Sequence, residues 1–500
     1  MTKKSHKKTT AKLSFRGEET PWWLDLIHTS LQNPVLDRRR AIFTNRSLRF
    51  ERIDAVGFDF DHTLAVYNCA KLDETAMEMV IEKLIAEEGY DKSFIENIPE
   101  PEFVTKGLVV DIEQGNVLKV DRFGHVSIAY HGRHRLDQKE RRKLYGDANH
   151  IPHVTDRGRY IQIDSAFAKP EVLIFSALAP CTDCSECRCL WKTIRHYTDL
   201  IHRDDSLKKR ITASPREYLS PDPDVIPMLR HLREGGKKLF LLTNSEWHYT
   251  RAMMNPALGL PGGPDDLSWV DLFDYVVVEA KKPGFFNTKK NGRPLEQIDG
   301  DPRILRGGNI DELERLVGAT GPDVLYVGDH IYSDLITSKR SSHWRTMLVI
   351  SELEEELAIH EDLPGFARQL RDVDVYRART DLEVHHWTNL EGVLGRIDEP
   401  DFEALVEKLI EQCSERKRHA VRALKKYIDQ RESLRSRIAR AINPHWGSLF
   451  RTGTELTYYG KQLEDFACTY TGRASNLTLY PTNHYFRSGF DHLPHEIESM

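Results

Sequence analysis

The chain alternates short apolar runs with longer segments whose apolar residues recur at helical spacing. "FERIDAVGFDF" has the β-branched and aromatic make-up of a strand, and "TAMEMVIEKLIAEEGY" has helical periodicity up to Gly89, so the two predict a βα unit. Between about Gly107 and Tyr130 the pattern changes to three short alternating runs, "GLVVDIE", "NVLKVD" and "HVSIAYH", with a turn signal at Gly115-Asn116. An antiparallel meander is expected there, inserted into the α/β rhythm as a cap. The rhythm resumes with the helix "DPDVIPMLRHLREGG", the strands "KKLFLLTN" and "DYVVVEA", the helix "NIDELERLVGATG" and the strand "DVLYVGD". These strands are nearly all apolar, as parallel strands covered by helices on both faces must be.

After about residue 395 come long charged helices such as "FEALVEKLIEQCSERKRHAVRALKKYIDQRESLRSRIARAI", whose basic run reads as a solvated face. The expected organisation is an N-terminal arm, partly disordered, over 1–39 and a first part of the core over 40–120. A cap insertion over 121–190, a second part of the core over 191–395 and a helical extension packed on the core over 396–500 complete it. A chain of 500 residues exceeds what one core usually serves, which agrees with this division.

Charge narrows the partners. Lys plus Arg number 71 against 77 Asp plus Glu, a formal charge of −6, so no overall basic field points to nucleic acid. The opening "MTKKSHKKTTAK" lacks the apolar run of a signal peptide, and no stretch is long and apolar enough to span a bilayer. The expectation is a cytoplasmic protein with a small-molecule partner and no membrane association. Four of the seven Cys (Cys181, Cys184, Cys187, Cys189) crowd into "CTDCSECRC", which is not how a secreted disulfide framework is spaced. Thiolates at short spacing suit Zn²⁺ or an Fe–S cluster, and free thiols in a cap loop are the plainer reading.

One feature resists a purely structural reading. The apolar strand in "VGFDFDHTLAVYN" ends on Asp59 and Asp61, and an unpaired buried charge costs several kcal/mol. Other predicted strands deliver Thr243 and Asn244, then Lys282, then Asp329 and Asp334 to their C-terminal ends, where open α/β sheets bind ligands. Mg²⁺ would neutralise the carboxylates. Period-two alternation sends Asp59 and Asp61 to the same side, which suits one as nucleophile and the other as proton donor. An aspartate nucleophile splits phosphate-ester hydrolysis into two displacements through an acyl phosphate. Lys282 would supply charge, Thr243 a hydroxyl and Asn244 an amide to the phosphoryl oxygens. No P-loop and no G-x-G-x-x-G stretch competes with this reading.

"DFDHT", "LLTNS", "KKP" and "GDHIYSD" resemble, in order, the four motifs of the haloacid-dehalogenase-like phosphohydrolase superfamily. The resemblance implies an α/β fold with a Rossmann-like parallel sheet, helices on both faces, a cap between the first and second motifs and a C-terminal helical region. It also implies an aspartyl-phosphate on Asp59, with Asp61 as acid/base. Mg²⁺ would be held by Asp59, the Asp61 backbone carbonyl and Asp329, with Asp334 as a further ligand or acting from behind the ligands. "IFTNRSLRFERI", "FDFDHTLAVYN", "KKPGFF", "GDHIYSDLITSK", "WRTMLVISELEEEL", "GSLFRTG" and "YPTNHYFRS" look like the cytosolic purine 5′-nucleotidase family, in its IMP/GMP-preferring branch, from about residue 40 to 495.

In that family a Phe in a D-x-x-F-x-x-P-E stretch stacks on the purine, and "DSAFAKPE" matches it at Phe167. An R-x3-D-x2-H segment followed by Lys reaches base and sugar, and "RHYTDLIHRDDSLK" offers Arg195, Asp199, His202 and Lys208. The resemblance thus implies hydrolysis of purine nucleoside 5′-monophosphates, with phosphotransfer to a nucleoside as a companion activity, a homo-oligomer and room for a nucleotide effector. The rival expectations are a phosphatase for another ester and a non-enzymatic nucleotide-binding scaffold. The Cys181–Cys189 segment departs from the family, which usually has an apolar helical connection there.

Overall fold

The computed structural model describes residues 37–287, 294–398 and 400–489, so the expected N-terminal arm up to residue 36 lies outside the described residues. Among the described residues nine strands form the main sheet: β1 (Phe43–Thr44), β2 (Ala55–Phe58), β3 (Lys238–Leu242), β4 (Tyr275–Val278), β5 (Leu295–Gln297), β6 (Ile304–Gly307), β7 (Val324–Gly328), β8 (Arg345–Val349) and β9 (Thr469–Thr471). Their order across the sheet is β1-β9-β8-β7-β2-β3-β4-β6-β5. The inner strands are parallel, while β1 and β5 run antiparallel at the two edges.

The apolar runs are continuous because both faces of this sheet are covered. Val56, Phe58, Leu239, Leu241, Leu325 and Val327 belong to one buried cluster, and the alternate residues Ala55, Phe240, Leu242, Val324 and Tyr326 to another. Period-two alternation along each strand therefore feeds two separate layers of core. The polar groups are left to the strand ends.

A second, five-stranded antiparallel sheet is built from Val109–Asp111, Asn116–Val120, Val126–His131, His134–Arg135 and Tyr160–Gln162. Two of these strands precede residue 121, where the pattern-based division begins the insertion; they are part of this sheet because they pair with later strands of the same meander. Helices α1 (Cys69–Glu88), α2 (Lys169–Leu178), α3 (Cys187–Arg203) and α4 (Ser206–Ala213) pack against one another.

Beyond β8, helix α5 (Glu352–Asp362) leads into an antiparallel hairpin of α6 (Pro364–Leu394) and α7 (Glu403–Ile442). The long-helix region therefore starts some thirty residues before the boundary drawn at 395/396, since α6 alone has 31 residues. The C-terminal region is also more than a helical extension. After the hairpin the chain re-enters the main sheet as β9, between β1 and β8. No described helix is long and apolar enough to cross a membrane.

Candidate active site

Asp59 follows β2 directly, and its carboxylate is tied down at both oxygens. Oδ1 accepts a hydrogen bond from the Phe60 N–H at 2.8 Å, and Oδ2 lies 2.9 Å from Lys282 Nζ. Lys282 also reaches Asp334 Oδ1 at 2.8 Å and donates to the Tyr326 hydroxyl at 2.8 Å, which itself donates to the Leu242 carbonyl at 2.8 Å. The ammonium is fully enclosed, so these partners replace its water. Asp334 can come this close because residue 328 is glycine: a Cβ there would stand 2.4 Å from Asp334 Oδ2. The second Asp334 oxygen accepts from the His330 N–H at 3.2 Å.

The electrostatics follow from this packing. Burial works against the Lys282 charge, yet Asp334 and Asp59 outweigh it and hold its pKa well above the ordinary range. Burial is also the largest influence on Asp59 and pushes its carboxyl up; Lys282 opposes the rise, and the nearby Asp334 and Asp329 add to it. Among the described residues, Asp59, Asp329 and Asp334 form the one group of three or more such side chains whose ligand atoms all lie within 4.8 Å of one another. An all-oxygen donor set of this kind suits a hard divalent cation such as Mg²⁺.

The other motif residues surround this centre. Asp61 accepts from the Tyr67 hydroxyl at Oδ1 and from the Ser245 hydroxyl at Oδ2, both at 2.6 Å. Thr243 is buried at the end of β3, and its Oγ1 accepts from the Ser245 N–H at 3.1 Å. Asn244 is used differently from the expectation of a free amide donor. Its Oδ1 accepts from the Lys282 N–H at 2.6 Å and its Nδ2 donates to the Lys282 carbonyl at 3.0 Å, so it clamps the loop that carries the lysine. That loop holds two non-glycine residues, Glu279 and Lys281, at φ of 50° and 56°, a conformation that persists only when surroundings enforce it.

Phe167 lies in a single turn at Ala166–Ala168 and is 37% exposed, which sets it apart from core aromatics. Its ring meets His62 edge-on at 4.9 Å and His202 at 6.0 Å, and His62 in turn touches Tyr67, the partner of Asp61. Arg195 donates to Glu171 at 2.7 Å and lies 3.3 Å from Asp199 one turn along α3. Lys208 pairs with Glu246 and stands 5.8 Å from the centre of the Tyr249 ring, whose hydroxyl is 2.9 Å from that of Tyr67. Phe167, His202 and Lys208 are thus linked to the carboxylate centre through His62, Tyr67 and Tyr249, whereas the contacts of Arg195 and Asp199 run to Glu171 and to each other.

Several residues of this network escaped the sequence reading. Tyr326 was visible as the one polar side chain between the two aspartates of "DVLYVGD", whereas Tyr67, Ser245 and Tyr249 carry no such signal. Lys106, from the chain leading into the second sheet, lies 3.7 Å from Asp329 Oδ2 and 3.8 Å from Glu352 Oε2. Burial works against its charge, but Glu352 and Asp329 hold its pKa above the ordinary range. The four clustered cysteines are free thiols, Cys187 buried and Cys181, Cys184 and Cys189 exposed. They are absent from the metal-ready groupings among the described residues.

Known proteins are similar to this chain to different degrees. The 5′-nucleotidase domain-containing protein DDB_G0275467 of Dictyostelium discoideum is 27% identical over 95% of this chain and 77% of its own length. The human 5′-nucleotidase domain-containing protein 2 is 28% identical over 98% of this chain and 91% of its own. The solved structure of 2-haloacid dehalogenase from Pseudomonas syringae pv. Tomato DC3000 matches 59% of this chain and 86% of its own at 15% identity, with a TM-score of 0.21. The sequence profile of the 5′ nucleotidase family matches residues 42–498, nearly the whole described chain. The protein belongs to the 5′ nucleotidase family and is a phosphoric monoester hydrolase.

Proposed function

We propose that the protein is a Mg²⁺-dependent 5′-nucleotidase that hydrolyses purine nucleoside 5′-monophosphates of the IMP/GMP type to nucleoside and phosphate. The observation that carries this reading is the meeting of Asp59, Lys282, Asp329 and Asp334 at the ends of three parallel strands, with an exposed Phe167 reached through His62. Asp59 attacks phosphorus and forms the acyl phosphate. Lys282 holds the attacking carboxylate in place and neutralises charge on the phosphoryl oxygens. Asp61, oriented by Tyr67 and Ser245, protonates the leaving ester oxygen and then takes a proton from the water that hydrolyses the intermediate. A nucleoside hydroxyl in place of that water gives phosphotransfer.

The carboxylates of Asp59 and Asp329 and the Asp61 backbone carbonyl would hold Mg²⁺. Asp334, both of whose oxygens are engaged, would orient Lys282 from behind. When bound, the ion supplies Lewis-acid stabilisation of the phosphoryl oxygens. Phe167 offers its face to the base, and Arg195, Asp199, His202 and Lys208 supply donors and acceptors to its edge and to the sugar. A cytoplasmic location, a homo-oligomer and a nucleotide effector come with this reading from the family resemblance alone.

A panel of nucleoside monophosphates and sugar phosphates, assayed with Mg²⁺ and with and without ATP, tests it. Release of phosphate from IMP and GMP ahead of the pyrimidine nucleotides and sugar phosphates, and its loss in a folded Asp59→Asn protein, are expected. Silence across the panel favours the scaffold reading, and undiminished turnover in Asp59→Asn removes Asp59 as nucleophile.

A further inference from the structure

Lys106 has no part in the reaction just described, yet it brings a second buried ammonium to the carboxylate cluster. It arrives from the chain before the inserted sheet and is fixed from both sides. The next residue, Gly107, has φ of 81°, and a Cβ there would stand 2.7 Å from Tyr459 Cβ, so the backbone is pressed against Tyr459. The Gly107 N–H donates to the Ile163 carbonyl at 2.6 Å. Across the gap, Glu352 opens α5 directly after β8 and shares Lys106 with Asp329.

The separations of 3.7 and 3.8 Å are those of ion pairs without direct hydrogen bonds, so the ammonium acts here by its field. The Tyr459 hydroxyl is buried and has no hydrogen-bond partner among the described residues. Lys106 is therefore the charge that this corner presents to Asp329. A positive charge so near a metal-binding carboxylate opposes a cation and favours a dianion, and both effects are strong in a site shielded from water.

We propose that Lys106 is an electrostatic positioning residue that acts through Asp329, holding that carboxylate, loosening Mg²⁺ in the substrate-free protein and tightening the dianionic phosphate ester. This rests on the Mg²⁺-dependent reading above. It assigns to the chain that leads into the inserted sheet a share in the balance between metal and substrate affinity. A residue that merely filled space would affect stability and leave that balance alone.

The test is Mg²⁺ titration calorimetry on the full chain without substrate, paired with nucleotide kinetics at saturating Mg²⁺. In Lys106→Met the Mg²⁺ Kd falls and the nucleotide KM rises, each on the order of tenfold, with a smaller change in kcat. Lys106→Arg keeps both constants near those of the parent. Unchanged or weaker Mg²⁺ binding in folded Lys106→Met overturns the proposal. Should that variant not fold, Glu352→Gln alone leaves the Lys106 ammonium less opposed, so the Mg²⁺ Kd rises and the nucleotide KM falls. Constants that stay at the parent values or move the other way overturn the proposal. A parent protein that binds no Mg²⁺ overturns the metal reading itself and this inference with it, whereas intact parent binding with an unaltered Lys106→Met Kd overturns only the role of Lys106.

Discussion

The crevice at the strand ends and the α6–α7 hairpin are built on opposite principles. In the crevice, Lys282, Asp59, Asp334 and Tyr326 come from three separate stretches of chain, and the buried lysine is satisfied by all three of the other residues. In the hairpin, a single seam that includes Thr380, Leu394, Cys413, Ala420 and Leu434 is buried, while Val375, Leu382, Val393 and Val421 face outward. Partly exposed ion pairs such as Lys417–Glu391 at 2.7 Å cross between its helices. Tolerance to change should therefore differ: a crevice residue holds charges from several directions, whereas an outward hairpin residue answers only to its own helix.

The largest effect is expected for Lys282→Met. It leaves Asp59 and Asp334 buried without their shared cation, and removing one member of such a pair costs about 3–5 kcal/mol. On the proposed mechanism, loss of this charge should also reduce turnover on the order of a thousandfold. Urea unfolding and phosphate release measure the two effects separately. An unchanged urea midpoint would erase the contrast between crevice and hairpin at its strongest point.

The same contrast governs what could be read from the chain. The apolar runs of β2, β3, β4 and β7 stood out because both faces of the main sheet are covered, and the charged groups at their ends stood out against them. Tyr67, Ser245 and Tyr249 were illegible, since a hydroxyl beside a carboxylate depends on how distant loops meet and leaves no periodic trace. Asn244 was read as a donor to phosphate, and its clamp on the Lys282 backbone became visible only in three dimensions. Helix α6 was hidden for another reason. One narrow seam with apolar residues on its outer side blurs the stripe that marks an ordinary amphipathic helix.

An intermediate effect is expected where α3 meets α2. Burial pushes the Glu171 carboxyl up to about 7, with Arg195 opposing and Asp199 adding to the rise. Its Oε2 is buried without a hydrogen-bond partner among the described residues. The folded state therefore holds this proton more tightly than the unfolded chain, whose reference value is 4.5. Glu171 stabilises the fold fully below that value, and the contribution is lost as pH rises through about 7. Thermal melts of Glu171→Gln across that window should show a flatter profile than the parent, by roughly 2–3 kcal/mol end to end. A parallel pair of profiles would show that the burial of Glu171 is relieved in solution.

The smallest effect is expected for Leu382→Glu. Leu382 is 70% exposed on α6, and glutamate is a comparable helix former, so the substitution removes little buried surface and does not interrupt the backbone. Unfolding free energy should change by no more than about 0.5 kcal/mol, with turnover unaltered. His386, Trp387, Arg416 and His419 lie beside it along the groove between the two helices, and in the proposed homo-oligomer this is a face for a second copy of the chain to cover. If so, the substitution would place a carboxylate in an interface, and the cost would grow with protein concentration. Urea midpoints that match the parent at every concentration would keep the hairpin at the tolerant end of the comparison; a concentration-dependent loss would move Leu382 to the crevice's side of it.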